Sequence, residues 1–160
     1  MILFDDLLTL LQGSPIAQFV GGGFAYPVLE VVHLVGLAVL VGAAAGFDLR
    51  LLGVASSLPV RKVAGLLLPA SRIGFAVAVC SGLLLFSSSA VSLAANPAFQ
   101  LKVALLAVAG ANIAVFHFGV YRRVGEWEVG DTPLPAVAAG AVSLVVWIGV
   151  IACGRWIAYA

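Results

Sequence analysis

The sequence predicts an all-α integral membrane protein, an up-down-up-down bundle of four spanning helices preceded by a short interfacial helix. Three observations predict it. Charged residues make up 9% of the chain and hydrophobic ones 63%, where a soluble domain carries about 25% charged residues. Mean hydropathy is +1.19. Uncharged or nearly uncharged runs cover 31–47, 73–101, 103–121 and 132–154. Crossing the hydrocarbon takes about 20 helical residues, so four spans fit and a fifth does not. The same composition sorts partners. A net charge of +1 argues against nucleic acid, which leaves the lipid bilayer as the first partner.

Residues 1–160 read as one membrane domain. The first element is a helix over about 2–12, with Asp5, Asp6, Thr9 and Gln12 on one side and Ile2, Leu3, Leu7, Leu10 and Leu11 largely on the other. That is the pattern of a helix lying in the membrane interface. Acidic residues stand where a secretory signal would carry basic ones. Ser14-Pro15 reads as a cap followed by proline at the first helical position, and Gly21-Gly22-Gly23 breaks the chain before span one, about 26–52. Residues 56–69 form a connector with Arg61 and Lys62, and span two covers about 70–93. Asn96-Pro97 signals a turn and a helix start, opening span three at about 98–121. A polar loop follows, then span four at about 134–158, closed by an interfacial anchor of Arg155, Trp156 and Tyr159. Cys80 and Cys153 fall in separate spans without metal-type spacing and read as small apolar fillers.

The connections after spans one and three hold Arg50, Arg61, Lys62, Arg72, Arg122 and Arg123, against Lys102 and Arg155 on the other side. The positive-inside rule then predicts a bacterial inner-membrane protein with both termini outside.

An ionisable residue inside a span costs roughly 2.5–3.5 kcal/mol on insertion scales and marks a functional site by default. Glu30 and His33, at i and i+3 in span one, share a helix face. Depth decides which groups cooperate. At 1.5 Å per residue His33 lies about 10 Å into span one, and Lys102 about 6 Å into span three, which runs the same way. His117 lies roughly 28 Å down, so one cofactor ligated by both histidines is excluded within a protomer. The outer layer therefore gathers Glu30, His33 and Lys102, with Arg155 as an anion partner. An imidazole suits haem iron and basic side chains suit its propionates. The same groups suit a metal ion or a proton relay, or plain packing and snorkelling.

Gly36 lies on the His33 side of span one, and Gly42-Ala-Ala-Ala-Gly46 is a small-xxx-small element. Such stripes serve close packing, homodimerisation or a shallow wall for a flat ligand. A second, weaker cluster holds His117, Asp48, Arg50 and Arg72, with an Asp48 ion pair to Arg50 or Arg72 expected at the inner interface. Asn112 is placed to bond a neighbouring helix.

At His33-Leu-Val-Gly36, Asp48-Leu-Arg-Leu-Leu-Gly53, and Asn96-Pro-Ala-Phe-Gln-Leu-Lys102 through Asn112-Ile-Ala-Val-Phe-His117, the chain resembles a family of uncharacterised bacterial four-helix membrane proteins. It is more distantly similar to the copper-resistance D domain and the membrane protoporphyrinogen oxidase family. The oxidase resemblance implies haem-linked roles for His33 and Lys102. The leading expectation is a b-type haem protein passing electrons near the outer face, with His33 as axial ligand, Lys102 as second ligand or propionate partner, and Glu30 orienting His33 or handling a proton. Alternatives are a copper or small-solute transporter, or a subunit of a larger membrane complex with no cofactor.

Overall fold

The computed structural model describes residues 2–159. In chain order it has α1 (Ile2–Gln12), α2 (Pro15–Gly21), α3 (Ala25–Leu51), α4 (Val60–Ser88), α5 (Ala90–Ala95), α6 (Pro97–Phe118), a 3-10 helix (Val120–Glu126) and α7 (Leu134–Trp156). The described residues are helical with no strand, and four helices are long and apolar enough to cross a membrane. Their outward faces carry large apolar side chains such as Leu66, Ile73, Val145 and Ile148, each more than half exposed. A soluble fold would bury such surface; in a bilayer it faces lipid. Four crossings return the chain to its starting side. We call that the terminal end, and the opposite one the connection end.

Local chemistry sets several boundaries. Ser14 Oγ accepts the Ala17 N–H at 3.2 Å, with Pro15 at the first helical position. Gly23 takes a φ of +57° between α2 and α3, a region that glycine enters without cost. Asn96 Oδ1 accepts the Ala98 and Phe99 N–H groups at 2.9 and 3.2 Å, opening α6.

The second long helix departs from expectation at both ends. It begins at Val60 rather than near Ala70, and Pro69 lies inside it. Pro69 gives up one backbone hydrogen bond, which membrane helices tolerate. Pro59, as N-cap, supplies the actual break. At the far end Ser87 and Ser88 turn their hydroxyls back onto the Leu84 and Leu85 carbonyls at 2.7 and 2.8 Å. Ser89 then swings out to φ −143°, so the predicted tail of span two becomes the separate α5.

Packing runs α4–α3–α7–α6, each helix against the next, whereas α4 and α6 do not pack along their lengths. The α3–α4 contact is the most extensive, and glycine is its reason. A Cβ on Gly74 would stand 2.8 Å from the Gly36 carbonyl oxygen and 2.9 Å from Leu40 Cα. One on Gly36 would stand 2.9 Å from the Ala78 backbone nitrogen. The two backbones therefore touch, as small-residue crossings in membranes allow. Near the terminal end α4 and α6 do meet, where Phe86 of α4 stacks on Phe99 of α6 with ring centroids 5.3 Å apart.

Two apolar clusters fill the bundle. Leu40, Ala109, Val146, Trp147 and Val150 form the middle one. Phe47, Leu51, Val60, Phe116, Val124 and Trp127 belong to the cluster at the connection end, where Phe47 meets Phe116 edge-on at 5.8 Å. Arg50 closes this end. It is 2% exposed and donates to the carbonyls of Leu58 (2.7 Å), Ser56 (3.0 Å) and Glu128 (3.5 Å) and to Thr132 Oγ1 (3.4 Å). Val60 N–H adds a bond to the Glu128 carbonyl at 2.9 Å. One guanidinium thus ties the α3–α4 connection to the one leading into α7. At the terminal end α1 and α2 pack on α5 and α4, and Gln12 Oε1 accepts the Val91 N–H at 3.0 Å.

Gly74→Ala is expected to cost about 1–3 kcal/mol by overpacking, seen as a lower melting temperature by circular dichroism in detergent. Gly42→Ala, where a Cβ meets nothing within 4 Å, should leave the melt unchanged or raise it slightly. Arg50→Met should destabilise more than Gly74→Ala, since each hydrogen bond to a charged group is worth roughly 1.5–3 kcal/mol. A melt unaffected by Arg50→Met would contradict the latch.

Candidate functional site

His33 stands eight residues past the start of α3 and Lys102 five past the start of α6. Those positions are about 12 and about 8 Å along their helices at 1.5 Å per residue, one shared layer near the terminal end. Both side chains are half-buried.

The ring of His33 lies against α4. Its Nδ1 is 2.9 Å from the Ala78 carbonyl oxygen and 3.1 Å from Ser81 Oγ. A carbonyl only accepts, so Nδ1 carries the hydrogen and donates it. The Ser81 hydroxyl donates to the Val77 carbonyl at 2.6 Å, leaving its lone pair for the ring. In the neutral imidazole the free electron pair therefore sits on Nε2. This arrangement, Nδ1–H held by a backbone carbonyl, is the one that orients ligating histidines. Gly82 makes room for it, because a Cβ there would lie 3.0 Å from His33 Cε1.

Lys102 points toward α7. A Cβ on Gly154 would lie 3.4 Å from its Nζ, and buried Cys153 is beside it. Among the described residues no carboxylate forms an ion pair with this ammonium. The layer thus offers one lone-pair donor and one uncompensated cation, flanked by two glycines.

Other predicted site residues fall elsewhere. Glu30 is exposed and lies near Tyr26; the Ala78 carbonyl and Ser81, not Glu30, orient His33. Arg155 is exposed and folds back on Tyr159, its guanidinium carbon 4.7 Å from the ring centroid, so it is no partner of the layer. Gly36 is consumed in the α3–α4 crossing and leaves no wall for a ligand. Of the Gly42–Gly46 pair, Gly46 packs on Leu67 inside the bundle and Gly42 faces open space. Cys80 is exposed, unlike buried Cys153.

The second cluster does not assemble. The expected Asp48 ion pair is absent among the described residues, where the one salt bridge joins Arg61 to Glu128 at 3.9 Å. Residues two apart on a helix do not face each other: Arg50 turns to the connections, and Arg72 is exposed. His117 bonds the Ile113 carbonyl of its own helix at 3.0 Å and packs beside Phe116 and Tyr121. Asn112 does bond a neighbouring helix, through Nδ2 to the Ala139 carbonyl at 2.9 Å.

Ser81, Gly82, Cys153 and Gly154 complete the layer and were not singled out for it by sequence. Ser81 and Gly82 follow Gly74 and Ala78 along α4, and only the packing of α3 on α4 places them beside His33. Among the described residues no three His, Cys, Asp or Glu side chains come together to hold a metal ion.

Fold and site together define a multi-pass helical membrane protein with a histidine–lysine layer between its spans. Residues 12–160 match the model of DUF6644, a family of unknown function, and the chain belongs to that family. No curated protein and no solved structure matches it.

Proposed function

We propose that this protein binds b-type haem in the His33–Lys102 layer and passes electrons within the membrane. The observation that carries the reading is the contact of His33 Nδ1 with the Ala78 carbonyl, which assigns the ring's tautomer. With Nδ1–H committed to the Ala78 carbonyl at 2.9 Å, Nε2 presents its lone pair as an axial ligand would. Lys102, with no ion-pair partner among the described residues, would hold a propionate as the ammonium, or serve as second ligand as the neutral amine. Haem, when bound, supplies reversible one-electron chemistry. The chain supplies a fixed ligand, a countercharge, and lipid-facing helices that keep water out. The resemblance to the protoporphyrinogen oxidase family read from the sequence at His33 and Lys102 would imply the same roles. Under the positive-inside rule the layer faces the outside of a bacterial inner membrane, with both termini on that side.

The copper alternative has weaker support, since Glu30 is exposed and no cluster of three ligating side chains forms among the described residues. Homodimerisation retains one supporting feature, the open flank of Gly42.

Protein purified in detergent is expected to show a strong visible absorbance band, weakened or shifted in His33→Ala and shifted in Lys102→Ala. Gly82→Ala should move the band as well, because its methyl group presses on the ring. Wild-type protein that stays colourless after incubation with haemin overturns the proposal. A His33→Ala variant that only melts lower, with no band in either protein, assigns the histidine to packing.

A further inference from the structure

The connection-end half of the bundle holds an ionisable group that the His33–Lys102 layer does not use. Asp48 is 6% exposed and sits three residues before the end of α3, where α3 meets α7. A Cβ on Gly140 would stand 3.1 Å from the Asp48 backbone oxygen and 3.6 Å from its Cα. One turn further along α7, Ser143 is buried with its hydroxyl near the carboxyl. Oδ2 is buried, with no hydrogen-bond partner among the described residues.

No cation answers this group among the described residues. On its own helix, Arg50 spends its donors on Leu58, Ser56, Glu128 and Thr132. From α7, the residues between Leu134 and Ala152 include nothing that titrates; Cys153 and Arg155 lie toward the terminal end. From α6 and the 3-10 helix, His117 bonds the Ile113 carbonyl and Tyr121 packs on Phe47 and Phe116, while Arg122 and Arg123 are exposed. From α4, Arg61 pairs with Glu128, and Lys62 and Arg72 are exposed.

An ionised carboxylate left unpaired in such a place costs several kcal/mol even after relaxation, and a buried acid escapes that cost by taking up a proton. We propose that Asp48 is a proton-binding site, a neutral carboxylic acid at pH 7 that exchanges its proton with the aqueous phase at the connection end. Intramembrane carboxyls of this kind mark proton pathways. Asp48 lies about 5 Å from the end of α3 at 1.5 Å per residue, so the connection end is the nearer aqueous face. The proposal does not depend on haem, and its test uses the full chain without any cofactor.

Two measurements on the detergent-purified protein decide it. Infrared spectroscopy at pH 7 should show a protonated-carboxyl C=O band that shifts in deuterium oxide and is lost in Asp48→Asn. Dicyclohexylcarbodiimide should label Asp48, found by peptide mass mapping of wild-type protein. In that reaction the acid proton moves to a carbodiimide nitrogen, the carboxyl oxygen adds to the central carbon, and the adduct rearranges to a stable N-acylurea. Ser143→Ala, which removes the neighbouring hydroxyl, should shift the band without abolishing it, and reads on the same question if Asp48→Asn fails to fold. Folded wild-type protein with no such band, or a band that persists in folded Asp48→Asn, overturns the proposal.

Discussion

The backbone contact between Gly36 and Gly74 is the constraint from which the terminal half of this molecule follows. Only where two helices lack Cβ atoms can their main chains come so close. The register it imposes brings the Ala78 carbonyl and Ser81 beneath His33, one and two turns further along α4. The imidazole is oriented by main chain and hydroxyl, with no ionised partner. Its orientation therefore depends on helix packing, and a change at the crossing reaches the ring without touching it.

Glycine is used differently at successive levels of the bundle. At Gly36, Gly74 and Gly140 it lets helices approach, and a side chain would meet backbone atoms. At Gly82 and Gly154 the neighbour is an ionisable side chain, His33 or Lys102. Those two positions do not tighten the fold; they keep polar groups half-buried inside a span, where a bulkier residue would displace them.

The sequence carried the local signals well. Ser14-Pro15 and Asn96-Pro97 cap their helices as their chemistry requires, because the donors and acceptors lie within three residues. The four spans were legible from length and apolarity alone. What failed depended on partners distant in the chain. Pro69 and the Arg61-Lys62 pair suggested a connector, yet α4 starts at Val60, whose N–H bonds the Glu128 carbonyl. Glu30 looked like the natural partner for His33, one turn away, but the bond is made by a main-chain oxygen 45 residues on, which has no side-chain signature. Asp48 and Arg50, opposite in charge and two residues apart, point to different faces of α3.

The Arg50 latch has a consequence for how the protein responds to its ionic surroundings. Dissolved ions weaken attractions between exposed charges by gathering around each partner, within about 8 Å at 0.15 M. The acceptors around Arg50 are neutral carbonyls and a hydroxyl, and the guanidinium is sealed away from mobile ions. Brine that dissolves the Arg61–Glu128 bridge, whose side chains are 59% and 31% exposed, leaves the Arg50 fastening in place.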